Sequence, residues 1–313
     1  MEKKIDFLCI GAQKSGTSWL YKNLQDIEEF SLPQVKEIHY FDRSSTYPSP
    51  SKKSFSSRVL NPKYVARAIG SIVKAIFQRN FNKAAFVFKW NFALNYNDKW
   101  YLSLFKNLKG YKGEITPSYS ILEKEDIKKI HKLLPDVKLI LMLRNPIDRA
   151  WSHYRSGVSK TYKFDINNLD SSEIIKFMKS EEQTMRSNYL RTIDNYLEVF
   201  KKEQLLICFY DAIIDCSDIL IKDILHHICG ENSIAINHLN LRENVSVTRN
   251  KVTCPEEVKE FLKETYYHQI KELSEKYGGY FTKWYEEVYN EGILDKKRTF
   301  TSTLTPEKAE QNF

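Results

Sequence analysis

Three stretches of this chain combine residue types and spacings that could do chemistry. The first is Gly11-x-x-Lys14-Ser15-Gly16-Thr17, set between the apolar run Ile5 to Ile10 and an amphipathic stretch from Ser18. Glycines let a backbone turn approach an anion closely, and amides at the start of the following helix point at it. Lys14 adds a mobile positive charge, and Thr17 and Ser18 add hydroxyls. A nucleoside triphosphatase loop places its lysine after the second glycine. Here Lys14 precedes Gly16, so the motif reads as a P-loop-like cradle of a different kind. The second stretch follows the apolar run Val137 to Leu143 and reads Arg144-Asn145-Pro146, continuing through Ser152. An arginine at a strand end can fork onto a phosphate, and Ser152, one to two turns into a helix, can face the same spot. Taken singly, Arg144 reads rather as an ion-pair partner of Asp148, and Ser152 as a solvent-facing residue; it is the pairing with the first stretch that favours the phosphate reading. The third stretch, Val35 to Asp42, holds Glu37 and His39 two apart. In an extended segment both project to one side. One can then act as a general base and the other orient it.

The elements around these stretches define how they are positioned. Ile5–Ile10, Val137–Leu143 and Leu205–Tyr210 read as buried strands, and Gly113–Tyr119 as a strand end or loop. Helices are expected over Ser18–Ile27, Glu125–Leu134, from Asp148 onward, over Asp218–Cys229 with Gly230 as its cap, and over Pro255–Tyr277. This alternation predicts an α/β, P-loop-like three-layer fold, a central parallel sheet flanked by helices. Such sheets bind ligands at the carboxyl ends of their strands, where the first two motifs fall. A single domain is expected over 1–297, followed by a polar tail over 298–313. Residues 43–105 read as a helical insertion, with a basic amphipathic helix over Pro62–Phe81 and an aromatic helix over Asp98–Phe105. Val65, Ile69, Ile72, Val73, Ile76 and Phe77 share one side of the first of these. That side reads either as the core face of the insertion or as a peripheral contact for anionic lipid or glycan.

Composition narrows the class. Lys plus Arg number 48 against 40 Asp plus Glu, a net charge of +8, which suits an anionic ligand such as a nucleotide, nucleic acid or acidic glycan. No run reaches the roughly 20 apolar residues of a membrane span. Lys3 and Lys4 precede only a short apolar run and then a glycine turn, unlike a signal peptide. The five cysteines are scattered with no CxxC pair, so neither a zinc site nor a disulfide framework is expected, and a cytoplasmic location fits. His226-His227 lacks a third ligand at useful spacing.

With both motifs in view, the chain resembles the sulfotransferases that use 3′-phosphoadenosine 5′-phosphosulfate (PAPS). Their 5′-phosphosulfate loop resembles Gln13-Lys14-Ser15-Gly16-Thr17-Ser18-Trp19, and their 3′-phosphate motif resembles Arg144 through Ser152. Lys36-Glu37-Ile38-His39-Tyr40-Phe41-Asp42 and Glu114-Ile115-Thr116-Pro117-Ser118-Tyr119 are similar to segments of heparan sulfate N- and 3-O-sulfotransferases and their bacterial relatives. The resemblance implies that Lys14 meets the bridging oxygen and the sulfuryl group, and that Ser15 to Ser18 hold the 5′-phosphate. It implies that Arg144 and Ser152 hold the 3′-phosphate, that Tyr189 lies near the adenine, and that Glu37 is the catalytic carboxylate. Arg249 and Lys251 stand where the family closes a loop over the nucleotide. Ile115 replaces a lysine of the 3-O-sulfotransferases. The implied reaction needs no metal and no nucleic acid, and its acceptor is a glycan, glycolipid or small hydroxylated molecule. A P-loop kinase and a non-catalytic nucleotide- or glycan-binding module are the competing readings.

Overall fold

The computed structural model describes residues 5–48, 61–93, 95–161, 170–232, 234–241, 252–289 and 301–305, with the side chains of 157–161 left aside. Strands β1 (Phe7–Gly11), β4 (Lys138–Leu143) and β5 (Leu205–Phe209) are nearly continuous apolar runs, buried almost throughout. That is the pattern of strands covered on both faces. With β2 (Phe30–Ser31), β3 (Tyr111–Ile115) and β6 (Thr303–Leu304) they form one sheet in the order β2-β3-β1-β4-β5-β6. All neighbours run parallel except β5 and β6. This is the α/β, mostly parallel arrangement that the alternating pattern predicts. The chain leaves β1 for β3 on one side and crosses to β4 on the other. The carboxyl end of β1 is therefore the topological switch point, where open α/β sheets bind ligands.

Helix α1 (Thr17–Gln25) follows β1 directly. The insertion then supplies α2 (Pro62–Phe77), α3 (Phe81–Asn91) and α4 (Asp98–Ser103), started by the side chains of Asn61, Asn80 and Asn97. After β3 come a 3₁₀ turn over Pro117–Ile121 and α5 (Lys124–Leu133). Helix α6 (Pro146–Thr161) follows β4 and opens with proline at its first position. Helices α7 (Ser171–Met178), α8 (Glu181–Ser187) and α9 (Tyr189–Leu197) lead into β5. Helices α10 (Tyr210–Asp215), α11 (Ser217–Cys229), α12 (Glu256–Tyr277) and α13 (Tyr280–Tyr289) complete the layers, and Gly230 ends α11 with φ 67°.

Three features depart from the expectations. The first helix of the insertion ends at Phe77, and its apolar side does not enter the core. Helix α2 packs through the small residues Ala68 and Ala75, leaving Ile69, Val73, Ile76 and Phe77 exposed. Thr303 and Leu304, in the stretch read as a tail, pair antiparallel with Cys208 and Ile207. The segment holding Glu37 and His39 is not an extended strand, because both residues take left-handed backbone angles.

Candidate active site

The cradle lies at the end of β1. Lys14 has φ 71° and Gly16 has φ 92°. A non-glycine residue in this region carries strain, and such strain gathers at functional sites. A Cβ at Gly16 would stand 2.4 Å from Ile213 Cδ1 and 3.3 Å from Tyr210 Cδ2, so only glycine fits there. Gly16 caps α1 with no side-chain cap, which leaves the first-turn amides of Thr17 and Ser18 without intrahelical acceptors. Ser15 is fully buried, and neither its Oγ nor Gln13 Oε1 has a hydrogen-bond partner of good geometry. Trp19 is buried and donates to Leu241 O at 2.8 Å.

The end of β4 brings Arg144 alongside. Its guanidinium stacks on Tyr210, 4.4 Å from the ring centroid. Its contact with Asp148, at 3.8 Å, is an ion pair too long for a hydrogen bond, and Asp148 is 63% exposed. Arg144 Nε is buried with no hydrogen-bond partner. Tyr189 stands behind it, buried, with its hydroxyl donating to Arg144 O at 2.7 Å. Ser152 is half-buried on α6. Arg155, three residues on, is held below its ordinary pKa by burial first and by the charge of Arg144 second. The site therefore gathers two guanidiniums, of which sequence reading singled out one. The visible signal for the second is its spacing, since Asp148, Ser152 and Arg155 recur at helical intervals. Buried donors without partners are costly, and an arriving anion would satisfy them. Ser15 Oγ, Arg144 Nε and the two first-turn amides suit the phosphates that the sequence resemblance implies.

The third group is Glu37, His39 and Asp42, linked to the cradle by Lys36, whose Nζ donates to Ser18 Oγ at 2.8 Å. Glu37 and His39 have φ 67° and 54°. The side chains still converge, with His39 Nε2 3.4 Å from Glu37 Oε2. His39 Nδ1 lies 2.6 Å from the buried Asp42 Oδ2, and this carboxylate partner assigns a proton to Nδ1. Burial alone would raise the pKa of Glu37. The hydrogen bond from His39 and the charge of Lys36, 3.6 Å away, outweigh it and hold the carboxyl below its ordinary range. Glu37 is thus a half-buried, ionised carboxylate at neutral pH.

Neighbouring strands hold the strained turn in place. Arg43 Nε donates to His39 O at 3.0 Å, and its guanidinium stacks 3.5 Å from the Tyr96 ring centroid. Tyr119 accepts from Tyr40 N at 2.9 Å and donates to Glu114 Oε1 at 3.1 Å. Glu114, at the end of β3, also accepts from Tyr101 at 2.6 Å and Thr116 at 2.8 Å. Burial raises the Glu114 pKa, and these three hydroxyls work against that rise. Ile115 is buried in the same strand, so no charged side chain enters the site from this position. Sequence reading assigned no role to Asp42 or to the Glu114 hydroxyl network. Their partners lie up to 79 residues apart in sequence, as for Tyr40 and Tyr119, beyond any local pattern.

Arg149, inside the second motif, is buried and donates from Nε and Nη2 to Ser187 Oγ at 3.0 and 2.7 Å. Arg249 and Lys251 lie outside the described residues. The positions flanking their segment are tethered by the two motif helices, Leu241 by Trp19 and Val252 by Trp151 Nε1 at 3.1 Å. His227 is half-buried with Nε2 3.2 Å from Leu139 O, and among the described residues no cluster of three His, Cys, Asp or Glu is placed to hold a metal. No described helix is long and apolar enough to cross a membrane.

Comparison with known proteins agrees with this geometry. A sequence profile described as Sulfotransferase domain matches residues 4–290. Human heparan sulfate glucosamine 3-O-sulfotransferase 6 is 45% identical over 64 residues, 20% of this chain and 18% of that protein. The mouse protein of the same name is 48% identical over 48 residues, 15% of this chain and 14% of that protein. The chain thus spans under a fifth of the length of the curated relatives it matches. The crystal structure of a sulfotransferase from Alicyclobacillus acidocaldarius superposes with a TM-score of 0.57 at 19% identity, covering 86% of this chain and 94% of that chain. That likeness is one of fold. The profile spans nearly the whole chain and includes both strand-end motifs and the Glu37 turn, and on that ground the chain belongs to the sulfotransferase domain family.

Proposed function

We propose that this protein is a PAPS-dependent sulfotransferase acting on a hydroxyl or amine of a carbohydrate or glycoconjugate. The observation that carries this reading is that the uncapped first-turn amides of α1 and the buried Arg144 Nε, which has no hydrogen-bond partner, stand at the ends of adjacent strands β1 and β4. Two phosphate-bearing ends of one nucleotide would satisfy both. The donor supplies an activated sulfuryl group on its 5′-phosphate.

The residues divide the work. The amides of Thr17 and Ser18, with Ser15 and Gly16, hold the 5′-phosphate, and Gln13 and Trp19 line the same loop. Lys14 neutralises charge on the oxygen that leaves. Such transfers depend mostly on positioning and electrostatics, as phosphoryl transfer does. Arg144 and Ser152 take the 3′-phosphate, and Tyr189 fixes the Arg144 backbone beneath it. Glu37 accepts the acceptor proton as the new sulfur–oxygen or sulfur–nitrogen bond forms and the bond to the 5′-phosphate oxygen breaks. His39, oriented by Asp42, holds Glu37 in its strained pose. Arg249 and Lys251 complete the nucleotide contacts in this reading. The partial likeness to a heparan sulfate 3-O-sulfotransferase supports a glycan acceptor. All five cysteines are unpaired, which fits the cytoplasm.

The test is product analysis. The protein is incubated with PAPS and a panel of glucosamine-containing oligosaccharides and glycolipids, and products are read by mass spectrometry. A sulfated product formed together with 3′-phosphoadenosine 5′-phosphate supports the reading. Nucleotide binding with no transfer to any acceptor class, including simple phenols and amines, would favour a binding module.

A further inference from the structure

We infer that the helical insertion is a membrane-surface device, docking the enzyme on anionic lipid through the α2–α3 hairpin. Two independent features converge there. The first is apolar. Ile69, Val73, Ile76 and Phe77 recur at i, i+4, i+7 and i+8 along α2, and all are exposed. Phe81 and Phe88, seven residues apart on α3 and so on one face of it, are also exposed. Phe77, Phe81 and Phe88 are 85, 67 and 59% exposed. Large apolar side chains gathered in one place mark an interaction site. The buried sides of the hairpin are already used. Ala68 and Ala75 of α2 are buried, while Phe86 and Trp90 of α3 stack on each other and Trp90 packs on Trp100 of α4.

The second feature is charge. Residues 43–97 contain ten Lys or Arg and no Asp or Glu. The remaining 258 residues carry 38 basic and 40 acidic side chains, a net charge of −2. The positive excess of the whole chain therefore resides in this insertion. By helical spacing Lys63, Arg67 and Lys74 lie on the flank of α2 beside the exposed apolar stripe, and all three are exposed. A helix with a phenylalanine- and isoleucine-bearing face and a lysine- and arginine-bearing flank lies in a lipid headgroup plane. Its cations attract anionic headgroups within a Debye length. An anionic glycan would satisfy the lysines but leave the phenylalanines in water, so the combination favours lipid. The hairpin is joined to the Glu37 turn through Trp100, which donates from Nε1 to Lys89 O at 2.9 Å and packs 6.0 Å from Tyr40. A docked hairpin therefore stands at a fixed place relative to the turn. This inference does not rest on the sulfotransferase reading, since it uses no residue of the cradle.

The experiment is co-sedimentation of the full chain with vesicles of phosphatidylcholine alone or of three parts phosphatidylcholine to one part phosphatidylglycerol. Wild type is expected to partition at least about tenfold more strongly to the anionic vesicles, and to be released by high salt. The double variant Phe77→Ser, Phe81→Ser is expected to lose about tenfold or more of that binding. The triple variant Lys63→Glu, Arg67→Glu, Lys74→Glu is expected to lose the preference for anionic vesicles. All five substitutions are at exposed positions. Unchanged circular dichroism and an unchanged thermal unfolding midpoint verify that each variant is folded. Failure of wild type to bind anionic vesicles overturns the inference, as does binding that neither variant weakens. Two results would reassign the face. One is retention on heparin that depends on the lysines alone, with no vesicle binding. The other is a dimer in light scattering that Phe77→Ser, Phe81→Ser dissolves, with no vesicle binding.

Discussion

Replacing Glu37 by Gln keeps the size of the side chain and removes its ability to take a proton. A positioned general base contributes about 10²- to 10⁴-fold, or about 3–5 kcal/mol of barrier. Glu37 is held ionised by the hydrogen bond from His39 and the charge of Lys36, which together outweigh its burial. The full effect is therefore present at neutral pH. Glutamine can retain the contact with His39, so the turn should survive, and Glu37 does not itself touch the phosphate cradle. The predicted pattern is a fall in kcat of about 10²- to 10⁴-fold with nucleotide affinity changed less than about twofold. The assay is release of 3′-phosphoadenosine 5′-phosphate from PAPS with an active acceptor from the panel, alongside calorimetric nucleotide binding. The sign of the pH dependence follows from the lowered carboxyl. A base ionised below its ordinary range leaves wild-type activity intact on acidification until below about pH 4.3, the usual glutamate value. Loss of nucleotide binding in Glu37→Gln would make the residue structural, and undiminished turnover would refute its role as base. An acid limb well above the carboxylate range that disappears in His39→Gln would move the base to His39.

Three further outcomes are expected. Lys14→Ala should lower turnover by at least about 10²-fold, as removal of a charged transition-state contact does, and a loss of only a few fold would remove Lys14 from the chemistry. Arg144→Ala should weaken 3′-phosphoadenosine 5′-phosphate by about 2–3 kcal/mol, the scale of charged hydrogen bonds, and leave adenosine 5′-phosphate almost unaffected in calorimetry; equal losses for both nucleotides would contradict a 3′-phosphate contact. His153 and His227 are pushed down to about 4, chiefly by burial. Each is neutral in the folded protein, so the unfolded chain binds more protons on acidification. Each should therefore contribute stability that is present above about pH 6.5 and is lost toward pH 4, about 1–2 kcal/mol per histidine between pH 7 and 5. Urea unfolding at those two pH values checks this, and Gln at both positions should flatten the slope.

Much of this fold is written locally. β1, β4 and β5 are unbroken apolar runs because helices cover both faces, and such runs are visible without any alignment. The strand-end motifs are equally local, since a cradle and its following helix occupy one continuous stretch. The short strands β2 and β6 are two residues each and leave no periodic signal. Helical periodicity identified the apolar side of α2 but carries no information about what covers it, and Ile69, Val73, Ile76 and Phe77 proved exposed. An extended segment would also place Glu37 and His39 on one side, but the backbone here is not extended. Two left-handed residues, not a pleat, bring them together, and their support comes from Arg43, Tyr119 and Glu114. The contacts of Tyr119 and Glu114 form only once β3 lies beside β1. The same is true of Arg155, whose proximity to Arg144 depends on how α6 leaves β4.

The central claim is that the cradle and Arg144 together read one doubly phosphorylated nucleotide. Calorimetric titration of the wild-type protein with 3′-phosphoadenosine 5′-phosphate, with adenosine 5′-phosphate as control, tests it most directly. The account predicts binding that is tighter by at least about 2 kcal/mol when the 3′-phosphate is present. Equal affinity for the two nucleotides, or no binding of either, would contradict it.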